Sequence, residues 1–260
     1  VSTLKNKVTS LGIGKNSYIT GAYATYVGQE IGKFYGWVYE GIARTQDELD
    51  GHATQQGANV GDCLYKDISG PNGEPDGVID AYDQTVLGSG LPKVNFGLST
   101  HMEYKGFDLN ISTYGVLNYH VSDDIYNSLN SCYGYGNKEV GMLDANRWSE
   151  DGSTYLSSVP RTYAANNATL GWNDLFSSRK IQNAAYWKIA NVELGYNFPD
   201  KWFGGYVSGV RLYVSAQNLY TFTGYHGYNV DYAGGTFTPG YNFCSFPSAR
   251  TFMCGLHFTF

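Results

Sequence analysis

The residues Thr251-Phe252-Met253-Cys254-Gly255-Leu256-His257-Phe258-Thr259-Phe260 alternate at every position. Phe252, Cys254, Leu256, Phe258 and Phe260 share one face, and Thr251, Met253, Gly255, His257 and Thr259 share the other. A period of two is the geometry of a β-strand with unlike surroundings on its two sides. The same period organises residues 209–220, with Val210, Leu212, Val214 and Ala216 against Arg211, Tyr213, Ser215 and Gln217. In 186–198, Ala190, Val192, Leu194, Tyr196 and Phe198 oppose Asn191, Glu193, Gly195 and Asn197. In 93–104, Val94, Phe96, Leu98, Met102 and Tyr104 oppose Lys93, Asn95, Ser99, His101 and Glu103. In 107–118, Phe107, Leu109 and Ile111 oppose Asp108, Asn110 and Ser112, and the shorter run 34–42 is a sixth candidate strand.

The connections between these runs sort by length. They are 43–92, then only Lys105-Gly106, then 119–185, then 199–208, then 221–249. Long connections at one end and short ones at the other are the rhythm of a transmembrane β-barrel. A soluble β-sandwich also alternates and stays open as a rival, although a loop as long as 119–185 is unusual in a compact domain. Even with one or two strands from 1–33, the count approaches eight, where side chains fill a barrel's interior. The chain is therefore expected to be part of a larger barrel.

Composition agrees with an all-β protein. Of 260 residues 33 are Gly, near twice the usual ~7%. Charged residues are 15% against a usual ~25%, and Tyr (24) outnumbers Phe (13) and Trp (5). A net charge of −6 argues against nucleic acid as a partner. Cys63, Cys132, Cys244 and Cys254 are too few and scattered for a disulfide scaffold, and no Cys/His spacing suggests zinc. A Cys244–Cys254 bridge is one reading; a free, buried Cys254 is the other.

At this point several motifs resemble one family. Residues 178–199, centred on Tyr186-Trp187-Lys188-Ile189-Ala190-Asn191-Val192-Glu193-Leu194-Gly195-Tyr196, resemble the C-terminal barrel region of SusC/RagA-type TonB-dependent transporters. So do residues 211–223 with their Gln217-Asn218-Leu219 core, Phe246-Pro247-Ser248-Ala249-Arg250-Thr251-Phe252 and the final strand. Upstream, residues 32–42 and Leu91-Pro92-Lys93-Val94-Asn95-Phe96-Gly97-Leu98 match in order and spacing, so the likeness runs from about residue 5 to the end. The resemblance implies a 22-stranded outer-membrane barrel with an N-terminal plug, energised through TonB and capped by a SusD-like lipoprotein. It implies import of oligosaccharides, or peptides in some members, and a C-terminus on the periplasmic side. With no plug or TonB-box stretch, the chain looks like the last third of such a transporter, with extracellular loops at about 43–92, 119–185 and 221–249. The alternative is a self-contained glycan-binding β-module or small outer-membrane barrel.

On this reading Lys93, His101, Glu103, Glu193 and Arg211 face the lumen, while the apolar faces meet lipid. The acidic stretch 62–83 contains Asn72-Gly73-Glu74-Pro75-Asp76-Gly77-Val78-Ile79-Asp80-Ala81-Tyr82-Asp83, which fits an EF-hand-like calcium loop. Its ligands would be Asn72, Glu74, Asp76, Asp80 and Asp83, with Asp67 competing for the first position; a plain acidic turn is the other reading. The loop 221–249 holds eight aromatics, among them Tyr225, Tyr228, Tyr232 and Tyr241. Such rings stack on sugars, dock a lipoprotein or pack on one another. Phe258 and Phe260 fit the terminal aromatic assembly signal that the resemblance implies. There is no GxSxG elbow, HExxH or Walker loop, and Asp123-Asp124 and Asp47/Glu48/Asp50 read as solvated turns rather than acid–base pairs. The chain is not expected to be an enzyme.

Overall fold

The computed structural model describes all residues except 13, 133–136, 141–146, 150–156, 163–170, 204–206 and 232–233. Five long strands carry the architecture: β1 (Val94–Tyr104), β2 (Phe107–Leu117), β3 (Tyr186–Phe198), β4 (Gly209–Thr223) and β5 (Thr251–Thr259). They pair in chain order, all antiparallel, in a six-stranded sheet whose remaining member is the two-residue strand Ser2–Thr3 against β1. Among the described residues β5 has a neighbour on one side only. No helix among them is long and apolar enough to cross a membrane, which says nothing against crossing by strands.

Lys105 and Gly106, at φ 47° and 86°, join β1 to β2. Two left-handed residues make the tight turn whose twist matches that of the flanking strands. The connection from β3 to β4 lies at the same end, and β5 also finishes there, since Thr259 pairs with Gly209. All longer connections gather at the opposite end.

Because side chains alternate, each row of the register names a face. Thr100, Ile111, Val192, Ala216 and Phe252 form one row, and Met102, Leu109, Leu194, Val214 and Cys254 the next. This apolar face is uncovered: Leu98 and Phe252 are each 67% exposed and Leu256 57%. Two aromatic rows bound it. At the short-turn end lie Tyr104, Phe107, Tyr196 and Phe198, with the Phe107 and Tyr196 rings 4.6 Å apart. At the loop end Trp187 stacks on Phe222 at 5.1 Å, and Tyr220 meets Phe222 at 4.7 Å.

A bulge keeps the upper row on that face. The register shifts between Ile189 and Asn191 against both neighbouring strands, and Asn218 in β4 takes a left-handed φ of 51°. An extra residue reverses the parity of everything beyond it. Trp187 and Ile189 therefore share the side of Val192 and Leu194, while Lys188 turns to the polar side.

The run 34–42 does not supply a barrel strand. Lys33–Gly36 pairs with Tyr23–Tyr26 and Thr85–Ser89 in a four-stranded sheet that begins with Ser17–Thr20, and Tyr39–Ile42 pairs with Cys63–Tyr65. Its alternation is real but faces a loop-side core, where Phe34 is fully buried. Two clusters hold the loops together. One contains Val116, Tyr119, Val121, Ala184, Tyr186, Tyr225 and Val230; the other packs Trp37, Tyr39, Trp172 and Leu175 around Cys63, Tyr65 and Ile79. All four cysteines are free; Cys63 and Cys132 are buried, whereas Cys254 is exposed on the apolar face rather than buried.

Candidate functional site

The polar face of the sheet carries an ion-pair network near the short-turn end. Arg211 of β4 reaches across β3 to Asp108 of β2, its Nε donating to Oδ2 at 2.9 Å and its Nη2 to Oδ1. The same Nη2 donates to Glu193 at 2.7 Å, and Asn197 donates to Asp108 at 3.1 Å. Gly195 makes this span possible, because a Cβ there would sit 2.4 Å from Asp108 Oδ2 and 2.5 Å from Arg211 Nη2. The bidentate geometry fixes the guanidinium plane, and the Tyr213 ring lies 5.2 Å from Arg211 Cζ. On β1, His101 contacts Asn110 at 2.6 Å and Glu103 at 2.9 Å. Thus His101, Glu103, Glu193 and Arg211 share one face. Lys93 precedes β1 and binds Glu30, anchoring the N-terminal segment.

Two residues absent from the sequence-derived site matter as much. The Lys188 side chain is 4% exposed, and its Nζ lies 2.5 Å from Asp231 in the 224–250 connection. Tyr114 donates to the other Asp231 oxygen at 3.2 Å. Strict alternation through residue 190 puts Lys188 on the apolar side, so only the bulge reveals it. Beside it a cleft of about 340 Å³ is lined by Lys188, Thr221, Thr223, Tyr228, Asn229 and Arg250, among others.

A second tie joins the two large loops. Tyr225 donates to Asp123, and Asn242 donates to Asp123 at 3.0 Å and to the Tyr225 hydroxyl at 2.8 Å. All three are buried, and the other Asp123 oxygen accepts from Tyr126 N at 2.8 Å, capping the helix Asp124–Leu129. Asp123 is therefore a buried structural carboxylate, not a solvated turn residue. Burial, and then the Asp123 carboxylate, push the Tyr225 hydroxyl pKa upward. Tyr225 is thus a packing residue; Tyr228 is exposed, Tyr241 stacks on Phe243 at 6.4 Å, and Tyr232 lies outside the described residues.

Several carboxylate oxygens of the acidic stretch accept from its own backbone, while Asp67 Oδ1 is buried without a hydrogen-bond partner. Asp83 is fully buried and accepts from Ile68 N at 2.7 Å, Ser69 N at 3.1 Å and Asp80 N at 2.8 Å. Asp80 accepts from Tyr82 N, Asp67 from Gly77 N and Asp76 from Val78 N. Among the described residues no three His, Cys, Asp or Glu side chains are grouped to hold a metal ion. Asn72 and Glu74 are exposed. Phe258 pairs with Val210 on the apolar face and Phe260 is exposed beyond it.

No protein-family model matches the chain. TonB-dependent receptor P3 of Formosa agariphila is 30% identical over 274 residues, covering 98% of this chain and 26% of the receptor. TonB-dependent receptor SusC of Bacteroides thetaiotaomicron is 26% identical over 209 residues, covering 76% of this chain and 19% of its own length. A solved structure of the RagAB peptide transporter superposes with a TM-score of 0.73 at 21% identity, covering 96% of this chain and 25% of that one. The chain therefore spans about a quarter of the length of the first of these relatives. The resemblance read from the sequence holds over nearly the whole chain, and the fold is that of the matching quarter of the solved transporter. These relatives are receptors and transporters, not enzymes.

Proposed function

We propose that this homologue of TonB-dependent receptors forms one section of the wall, and the loops above it, of an outer-membrane nutrient importer. The supporting observation is the uncovered apolar face lying between two aromatic rows, with a polar, ion-paired face behind it. In water such a face would drive association; in a bilayer it is the lipid contact, and the rows sit at the two interfaces. The short-turn end, and with it the C-terminus, is then periplasmic, and the long loops are outside.

On this reading the polar face lines the interior against a plug held elsewhere in the receptor, and TonB supplies the energy. A SusD-like lipoprotein closes over the loops. We infer oligosaccharides as cargo, because exposed Tyr228, Phe243 and Phe246 offer ring faces suited to sugars. The peptide transporter named above shares the fold, and peptides are the second substrate class to test. The test is uptake in a bacterium carrying the full-length gene. Deletion should abolish accumulation of one labelled class, oligosaccharide or peptide, and dissipating the inner-membrane gradient should mimic it. Unchanged uptake of both classes, or full solubility of the receptor without detergent, would overturn the proposal.

A further inference from the structure

The turn Ser178–Lys180 places two cations side by side at a pocket of about 220 Å³. Arg179 and Lys180 line it together with Tyr126, Asn127, Asn130 and Ser158, among the described residues. Lys180 is partnered: its Nζ lies 2.5 Å from the Asp174 carbonyl oxygen and 3.7 Å from the Asp174 carboxylate. That carboxylate also accepts from Cys132 N at 3.0 Å. Among the described residues Arg179 makes no hydrogen bond and no ion pair.

Four of the groups whose field reaches Arg179 do not neutralise it. They are Cys63, Cys132, Tyr39 and Tyr65. Burial pushes the Cys63 thiol up to about 12 and the Cys132 thiol up to about 11, and it raises both tyrosines. At pH 7 all four are uncharged, and among the described residues the ion pair at this turn is that of Lys180 with Asp174. Glu139 stands at the surface nearby and is engaged by Asn130 at 2.9 Å. A half-buried guanidinium without an anion is costly, and its planar fork of donors matches the oxygens of a carboxylate or sulfate.

We propose that this pocket binds an oxyanion, the carboxylate or sulfate group of a small acidic ligand, with Arg179 as bidentate donor and Lys180 as the second charge. The volume admits one anionic group with a ring that bears it, and is below that of a drug-sized site. The inference rests on the pocket's own charges and stands apart from the import reading.

The test titrates the detergent-purified full-length receptor by calorimetry with sodium glucuronate and with sodium sulfate. Sodium chloride at equal ionic strength and glucose are the controls. Saturable one-site binding of either anion supports the proposal; glucuronate alone assigns an organic carboxylate, and sulfate binding as well assigns a general oxyanion site. Arg179→Gln should weaken binding about tenfold or more, the scale of a lost charge-assisted pair. Ser158→Glu is a second variant at an exposed position on the pocket. Its carboxylate should occupy the cations, abolishing anion binding while the unfolding temperature is kept or raised. Heats no different from chloride, or binding undiminished in Ser158→Glu, would overturn the proposal even where Arg179→Gln fails to fold.

Discussion

Ile111 sits midway up the apolar face, and replacing it with arginine tests the membrane reading directly. Along β2 it lies four residues from Phe107 in one aromatic row and four from Gly115, the partner of Trp187 in the other. At about 3.3 Å per residue this is about 13 Å each way along the strand. A barrel tilt near 40° reduces it to about 10 Å vertically, close to the centre of a band ~25 Å tall. An arginine at the midplane of a bilayer costs about 2–4 kcal/mol on a barrel's lipid face. That corresponds to about a 30- to 700-fold shift in the folding equilibrium. The control is its neighbour but one face away: Ser112→Arg, whose hydroxyl lies 3.1 Å from that of Ser99 on the polar side. There a new cation stays in a wet or protein-lined space, and the expected cost is under about 0.5 kcal/mol, as for ordinary surface changes. Urea unfolding of the full-length receptor in lipid vesicles gives both numbers. Equal costs for Ile111→Arg and Ser112→Arg, or a negligible cost for Ile111→Arg, would refute the assignment of the face.

Asp231→Asn leaves the buried Lys188 ammonium without its counter-charge and should destabilise the 224–250 connection by roughly 3 kcal/mol. Hydrogen exchange would read this as faster exchange there, with a Lys188→Met/Asp231→Leu double variant restoring most of the loss. Tyr225→Phe strips Asp123 and Asn242 of a shared partner, and limited proteolysis should detect a loss of about 1–3 kcal/mol in the joined loops. The raised Cys63 pKa favours the protonated thiol in the folded state, so its contribution is complete below the ordinary thiol value of 9.0. It falls as pH rises towards about 12, where loop unfolding should accompany thiol ionisation; at pH 8 a water-soluble maleimide should label Cys244 and spare Cys63 and Cys132. Chelation by EDTA should leave the thermal midpoint of the loops unchanged, because Asp83 and Asp80 are already satisfied by backbone N–H groups. A calcium-dependent shift would instead assign a metal role to Asp67 and Asp76.

The strands were legible where one period ran unbroken. Val210 to Ala216 and Phe252 to Phe258 declare their faces because burial of one side and wetting of the other act on every second residue. The resemblance then supplied the fold that local pattern could not choose over a sandwich. Lys188 was hidden by one inserted residue, since a bulge changes parity without changing composition. Asp123, read as a solvated turn residue, escaped for a related reason, and so did its tie to Tyr225. The two stand 102 residues apart, and nothing local distinguishes a carboxylate at a turn from one that ties two loops together. Asp108 could have been found, because it shares the parity of Asn110 and Ser112 on the polar side of β2.

The single-sided pairing of β5 has a kinetic consequence. Its outer edge presents backbone N–H and C=O groups that no strand among the described residues satisfies. In hydrocarbon each unsatisfied group costs several kcal/mol. Such an edge cannot wait in the lipid for a neighbour. If the section crosses a bilayer as proposed, its insertion and the zipping of its free edge must then proceed as one event. The search for an edge partner, rather than the burial of the aromatic rows, would set the pace of assembly.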